Sequence, residues 1–125
     1  MASLKVDKFN DLIAWRRAMD FVEEIYKVTQ RFPKEELFGL TSQLRRAVVS
    51  IPSNIAEGQS RRSSKEFLQF LGIARGSLGE VETQILIATR LHYIPEEVSV
   101  PLLGRSSELG RILNGLSNAI AKRAG

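Results

Sequence analysis

The sequence predicts an all-α protein, an antiparallel up-down-up-down four-helix bundle. Three observations carry this. Apolar residues recur at steps of three and four along most of the chain. The pattern breaks at Phe32-Pro33, after Gly58 and before Pro95, leaving four segments joined by a few residues each. No stretch shows the alternation of a half-buried strand, and no internal repeat or low-complexity tract stands out.

The first helix is expected over about 10–31. Leu12, Trp15, Met19, Val22, Tyr26 and Thr29 share one face. Phe21, Ile25, Val28 and Phe32 form a second apolar set. Phe32-Pro33 ends the helix, because the residue before proline is pushed out of the α region. The second helix is expected over about 38–58. Its stripe is Leu40, Leu44, Ala47/Val48, Ile51 and Ile55, and Gly58 suits a C-cap. Pro52 lies inside it and predicts a bend, since it removes the hydrogen bond to the Val48 carbonyl. The nearby Ser50, Ser53 and Asn54 fit a role in satisfying freed carbonyls.

The third helix, about 63–91, opens with a capping box in which Ser63 is the N-cap and Glu66 its partner. Phe67, Phe70/Leu71, Ala74, Leu78, Val81, Ile85, Ala88 and Leu91 mark its inner face. Gly72, Gly76 and Gly79 each cost about 1 kcal/mol of helix propensity relative to alanine, which predicts close approach of another backbone. The fourth helix, about 96–122, opens after Pro95 with Glu96 and Glu97 in the first turn, where the helix dipole favours them. Its stripe is Leu102, Leu109, Ile112/Leu113, Leu116 and Ile120. Pro101 predicts either a kink or a restart of the helix near 101.

The 125 residues fit one domain, 1–125, large enough to bury a core without staples. Cysteine is absent, so no disulfide framework or thiolate chemistry is available, which fits a cytoplasmic protein. No run approaches a membrane span, and the first ten residues lack the apolar core of a signal peptide. The apolar coverage exceeds one internal seam, as in Ile85-Leu86-Ile87. It either widens the core or makes a subunit interface.

Charge is placed unevenly. The net charge is +4, from 18 basic and 14 acidic residues. All of the excess lies between positions 45 and 75, where Arg45, Arg46, Arg61, Arg62, Lys65 and Arg75 face only Glu57 and Glu66. Arg45 and Arg46 have no acidic neighbour on their own helix, and Glu80 and Glu82 have no basic one. One reading is a structural ion pair between these helices. The other is contact with the phosphates of RNA or DNA. With no aromatic residue interleaved among Arg61, Arg62 and Lys65, such binding would be driven by the backbone, sensitive to salt and poor in sequence discrimination.

An enzyme is not expected, and neither is a metal or other cofactor. A bundle di-iron site needs two Glu-x-x-His motifs. The single histidine, His92, has Thr89 three residues before it and fits a solvated or capping role near a helix end.

Several runs together carry a family resemblance. They are Phe-Pro-Lys-Glu-Glu at 32–36, Gly-Leu-Thr-Ser-Gln-Leu-Arg-Arg-Ala at 39–47, Ser-Ile-Pro-Ser-Asn-Ile-Ala-Glu-Gly at 50–58, Lys-Glu-Phe at 65–67 and Ser-Leu-Gly-Glu-Val-Glu-Thr-Gln at 77–84. The chain resembles the 23S rRNA intervening-sequence proteins over about 9–120. The resemblance implies a four-helix bundle assembled as a ring-shaped homopentamer. Distant relatives are accessory proteins of diversity-generating retroelements, basic pentamers that work with a reverse transcriptase and nucleic acid. The implied partners are therefore other copies of the chain, RNA or DNA, or a protein such as a polymerase for which the bundle is a scaffold. Pro101 departs from the family's usual unbroken fourth helix.

Overall fold

The computed structural model describes residues 12–124. Four helices follow in order: α1 (Ile13–Thr29), α2 (Leu40–Gln59), α3 (Ser64–Arg90) and α4 (Glu96–Ala124), with a 3-10 turn, Lys34–Glu36, after α1. No strand occurs among the described residues. The expected start of the first helix at 10–11 and the expected absence of a signal peptide over 1–10 lie outside them. No helix is long and apolar enough to cross a membrane among the described residues.

The helices pack as a closed square. α1 lies against α2, α2 against α3, α3 against α4, and α4 returns to α1. Side-chain pairs fix the registers. Arg17 meets Glu108 at 2.7 Å, while Arg105 forms an ion pair with Glu24, both between α1 and α4. Ser50 and Ser77 hydroxyls share a hydrogen bond of 2.8 Å between α2 and α3. Arg75 donates to Asn114 on α4 at 3.0 Å, and Gly110 faces Leu78.

The core takes Leu44, Val48, Ile51 and Ile55 from α2 and Leu71, Val81 and Ile85 from α3, as their spacing predicts. In α1 the faces are exchanged. Ala14, Ala18, Phe21 and Ile25 are buried, whereas Met19 and Tyr26 are exposed and Trp15 and Val22 only half-covered. Both sets have helical period, so periodicity could not rank them. The small Ala14 and Ala18 settle it by letting α1 sit close to the core. α4 brings Leu102, Leu109, Leu113 and Ile120, together with buried Ser106 and Ser117, whose hydroxyls have no partner.

Capping explains both boundaries of α3. Ser63 Oγ accepts the Glu66 backbone N–H at 3.1 Å and opens α3, as the capping box predicts. α3 closes at Leu91. His92 then adopts φ 62°, and the Tyr93 N–H reaches the Ala88 carbonyl at 2.9 Å while the His92 N–H reaches that of Thr89 at 3.0 Å. This is a Schellman closure with histidine where glycine is usual. α1 stops at Thr29, two residues before the expected end, as Thr29 Oγ1 turns back onto the Ile25 carbonyl at 2.8 Å.

Two glycine expectations need correction, and one of the two alternatives for Pro101 is excluded. Gly58 is not a cap but a buried residue of α2, where an added Cβ would lie 2.7 Å from the Phe67 ring. It allows α3 to turn back tightly. Gly72, Gly76 and Gly79 approach no other backbone, since an added Cβ at each meets nothing within 4 Å. α4 does not restart at Pro101, which lies within one continuous helix near its first turns. α2 likewise runs through Pro52, and Ser53 and Asn54 bond the carbonyls of Val49 and Ser50 rather than that of Val48.

Candidate nucleic-acid interface

The basic residues separate into two places. Arg45 lies on the first half of α2 and turns toward α1. Its Nε donates to Thr29 Oγ1 at 2.8 Å, a guanidinium nitrogen reaches the Tyr26 carbonyl at 3.4 Å, and the guanidinium lies 4.5 Å from the Tyr26 ring centre. This position couples two helices through a cation–π contact and hydrogen bonds. The expected ion pair of Arg45 or Arg46 with Glu80 or Glu82 does not form: no such pair of salt-bridge length occurs among the described residues. Arg46 and Glu80 line one groove between α2 and α3, with Gln43 and Gln84, without closing on each other.

Arg61, Arg62 and Lys65 lie around the turn from α2 to α3. Arg61 pairs with Glu57 at 2.7 Å and lies 4.9 Å from the centre of the Phe70 ring. The ring contact and the ion pair together hold the guanidinium, and the side chain stays partly open to solvent. Arg62 and Lys65 are exposed and have no salt-bridge partner among the described residues. Arg75 is further along α3 and is held by Asn114.

The α3–α4 register adds residues that the linear charge pattern omits. With Arg75 opposite Asn114 and Leu78 opposite Gly110, a rise of about 1.5 Å per residue brings the last turn of α4 beside the first turn of α3. Lys122 and Arg123, both exposed, therefore join Arg61, Arg62 and Lys65 at one end of the bundle, against Glu57 and Glu66. The C-terminal Lys-Arg pair was a visible signal, but its neighbours depend on helix register.

The opposite end carries both signs, with Arg31 exposed in the same connection. Glu35, Glu36, Glu96 and Glu97 gather there with Lys34 and Arg90. A hydrogen bond of 2.8 Å from the Tyr93 hydroxyl to Glu36 joins its two connections. Glu36 also accepts the Leu40 N–H at 3.0 Å. This backbone bond first, and the Tyr93 bond second, hold the Glu36 carboxyl below its ordinary pKa. Donation to Glu36 raises that of Tyr93. Glu24 is shifted upward, mainly by burial, with Arg105 opposing.

Among the described residues, no three His, Asp or Glu side chains are placed to hold a metal ion. A cleft of about 460 Å³ lies between α1 and α2 and is largely apolar, with Tyr26, Phe38 and Val49 on its walls and Arg45 and Arg46 at its edge.

No curated protein matches the chain. Among solved structures it is similar to a crystal structure, at 1.70 Å, of a protein of unknown function from the S23 ribosomal protein family of Bacteroides thetaiotaomicron. The TM-score is 0.78 at 23% identity, covering 84% of this chain and 98% of that one, a likeness of fold. The family model described as 23S rRNA-intervening sequence protein matches residues 10–115. With the four helices and the motifs that bind them in place, the chain belongs to the 23S rRNA-intervening sequence protein family.

Proposed function

We propose that this chain is a non-enzymatic cytoplasmic protein that assembles with itself and binds RNA or DNA weakly through phosphate contacts at its basic end. The bundle is read as antiparallel, up-down-up-down, and the assembly as a ring, pentameric by family resemblance. One observation carries the reading: Arg61, Arg62, Lys65, Lys122 and Arg123 converge from three elements on one end against only Glu57 and Glu66, while at the other end Arg31, Lys34 and Arg90 nearly balance Glu35, Glu36, Glu96 and Glu97. A bundle polarised in this way orients a polyanion toward the basic end. In a ring of like-oriented subunits the basic ends share one rim, and their fields add.

Arg45 is subtracted from the candidate set, because its guanidinium is engaged by α1. Arg62 and Lys65 are the strongest members, being exposed and without a salt-bridge partner. Changing both to glutamate should weaken binding of a generic structured RNA by roughly tenfold or more at low salt, as two phosphate contacts are lost. Circular dichroism and thermal melting should remain as in the wild type, since neither side chain supports the core. Unchanged RNA affinity would refute the assignment.

A second reading is a protein-binding scaffold or accessory subunit, for example of a reverse transcriptase, without direct nucleic-acid contact. The observation favouring it is the exposed apolar cleft beside Phe38, a side chain 92% accessible to solvent. The same RNA titration separates the two readings.

A further inference from the structure

Phe38 protrudes from the connection before α2, beside the half-exposed Leu37. Behind it runs the apolar cleft between α1 and α2, with Tyr26 and Val49 on its walls and Arg46 on its rim. Elsewhere on the same molecule, the outer face of α3 has the opposite relief. Gly72, Gly76 and Gly79 form a shallow channel where an added Cβ meets nothing within 4 Å. Ile73, Leu86 and Ile87 stand exposed beside it. Three glycines in one helix sacrifice helix propensity, and no neighbour within the chain uses the space.

The geometry points to a head-to-tail contact in which the Phe38 cleft of one copy seats on the Gly72–Gly76–Gly79 face of a second copy's α3. This rests on the self-assembly reading above and assigns its two surfaces. Shape supports it, since large side chains protrude on one face and are missing from the other. Charge supports it too. Arg46 and Glu80 stand exposed on the two walls of the α2–α3 groove, Arg46 also reaching the cleft, and neither has a salt-bridge partner among the described residues, which leaves each to pair with its opposite number on a second copy. Pairing the cleft with a second cleft would instead set Arg46 against Arg46, a like-charge contact. Two different complementary faces on one chain make a heterologous interface, which closes into a ring when the rotation between copies allows.

The test uses light scattering of the full chain and two variants, Phe38→Ala and Gly76→Gln. Neither change touches the core, and Gly76→Gln should raise helix stability because its side chain enters open space. Each variant should weaken assembly by roughly tenfold or more, as loss of an interface anchor does. An equimolar mixture should then form a dimer: the intact cleft of the Gly76→Gln copy meets the intact α3 face of the Phe38→Ala copy, and no further junction can follow. If the wild type assembles but Gly76→Gln assembles equally well, the α3 assignment is overturned. If Phe38→Ala assembles equally well, the cleft assignment is overturned. Two disrupted variants that fail to pair would rule out a head-to-tail contact. A monomeric wild type would instead remove the self-assembly reading itself, and this inference with it.

Discussion

At the scale of single residues, two contacts make sharp predictions. The Tyr93–Glu36 hydrogen bond joins the connection after α1 to the one after α3. The folded state holds the Glu36 carboxyl below its unfolded pKa. Its contribution to stability is therefore present above the unfolded value and is lost as pH falls through the folded one. Tyr93→Phe should lower the melting temperature at neutral pH, and the difference from wild type should shrink as pH falls through the carboxylate range. A difference constant with pH would mean that the hydroxyl acts by something other than its bond to ionised Glu36. Glu24 has the opposite sign: burial raises its pKa, so its contribution weakens as pH rises through the same range. Gly58 gives the second prediction. An added Cβ would lie 2.7 Å from Phe67 Cδ1 and 2.9 Å from Phe70 Cβ. Gly58→Ala should therefore destabilise by roughly 1–2 kcal/mol, overpacking outweighing the helix-propensity gain. Melting should fall by about 3–8 °C. An unchanged or higher melting temperature would show that the rings yield freely.

At the scale of elements, Arg45 is what ties the end of α1 to the start of α2. Arg45→Ala removes the ring contact with Tyr26 and the hydrogen bond to buried Thr29, and should cost roughly 1–2 kcal/mol. Arg45→Lys keeps the charge but not the planar stack, so it should recover little of the loss. Full recovery by lysine in a thermal melt would make Arg45 a point charge and return it to the phosphate-binding set. The elements also show what sequence can carry. The start of α3 was legible because the Ser63–Glu66 capping box is local, and so was the core stripe of α2 because only one apolar set competes there. The inner face of α1 was not, since two apolar sets share the helical period and only the packing of Ala14 and Ala18 ranks them. Gly58 was misread because a glycine ending a helical pattern looks the same whether it caps the helix or receives an aromatic ring.

At the scale of the whole molecule, function follows from where the topology sends charge and apolar surface. Arg61, Arg62 and Lys65 were visible as a cluster in the sequence. Lys122 and Arg123 join them only through the α3–α4 register, a long-range property that no local pattern encodes. The same topology sends Glu35, Glu36, Glu96 and Glu97 to the far end. The exposed α1–α2 face and the glycine face of α3 explain why the apolar coverage of the sequence exceeds what four core stripes require.

The most direct test is the salt dependence of RNA affinity, measured in parallel for the wild type and for the double variant Arg62→Glu, Lys65→Glu. Each phosphate contact contributes about 0.7–0.9 to the slope of log affinity against log salt. The wild type should lose affinity steeply as salt rises, and the variant should bind more weakly with a shallower slope. A flat wild-type response, or equal slopes for the two proteins, would contradict the account of the basic end as the nucleic-acid surface.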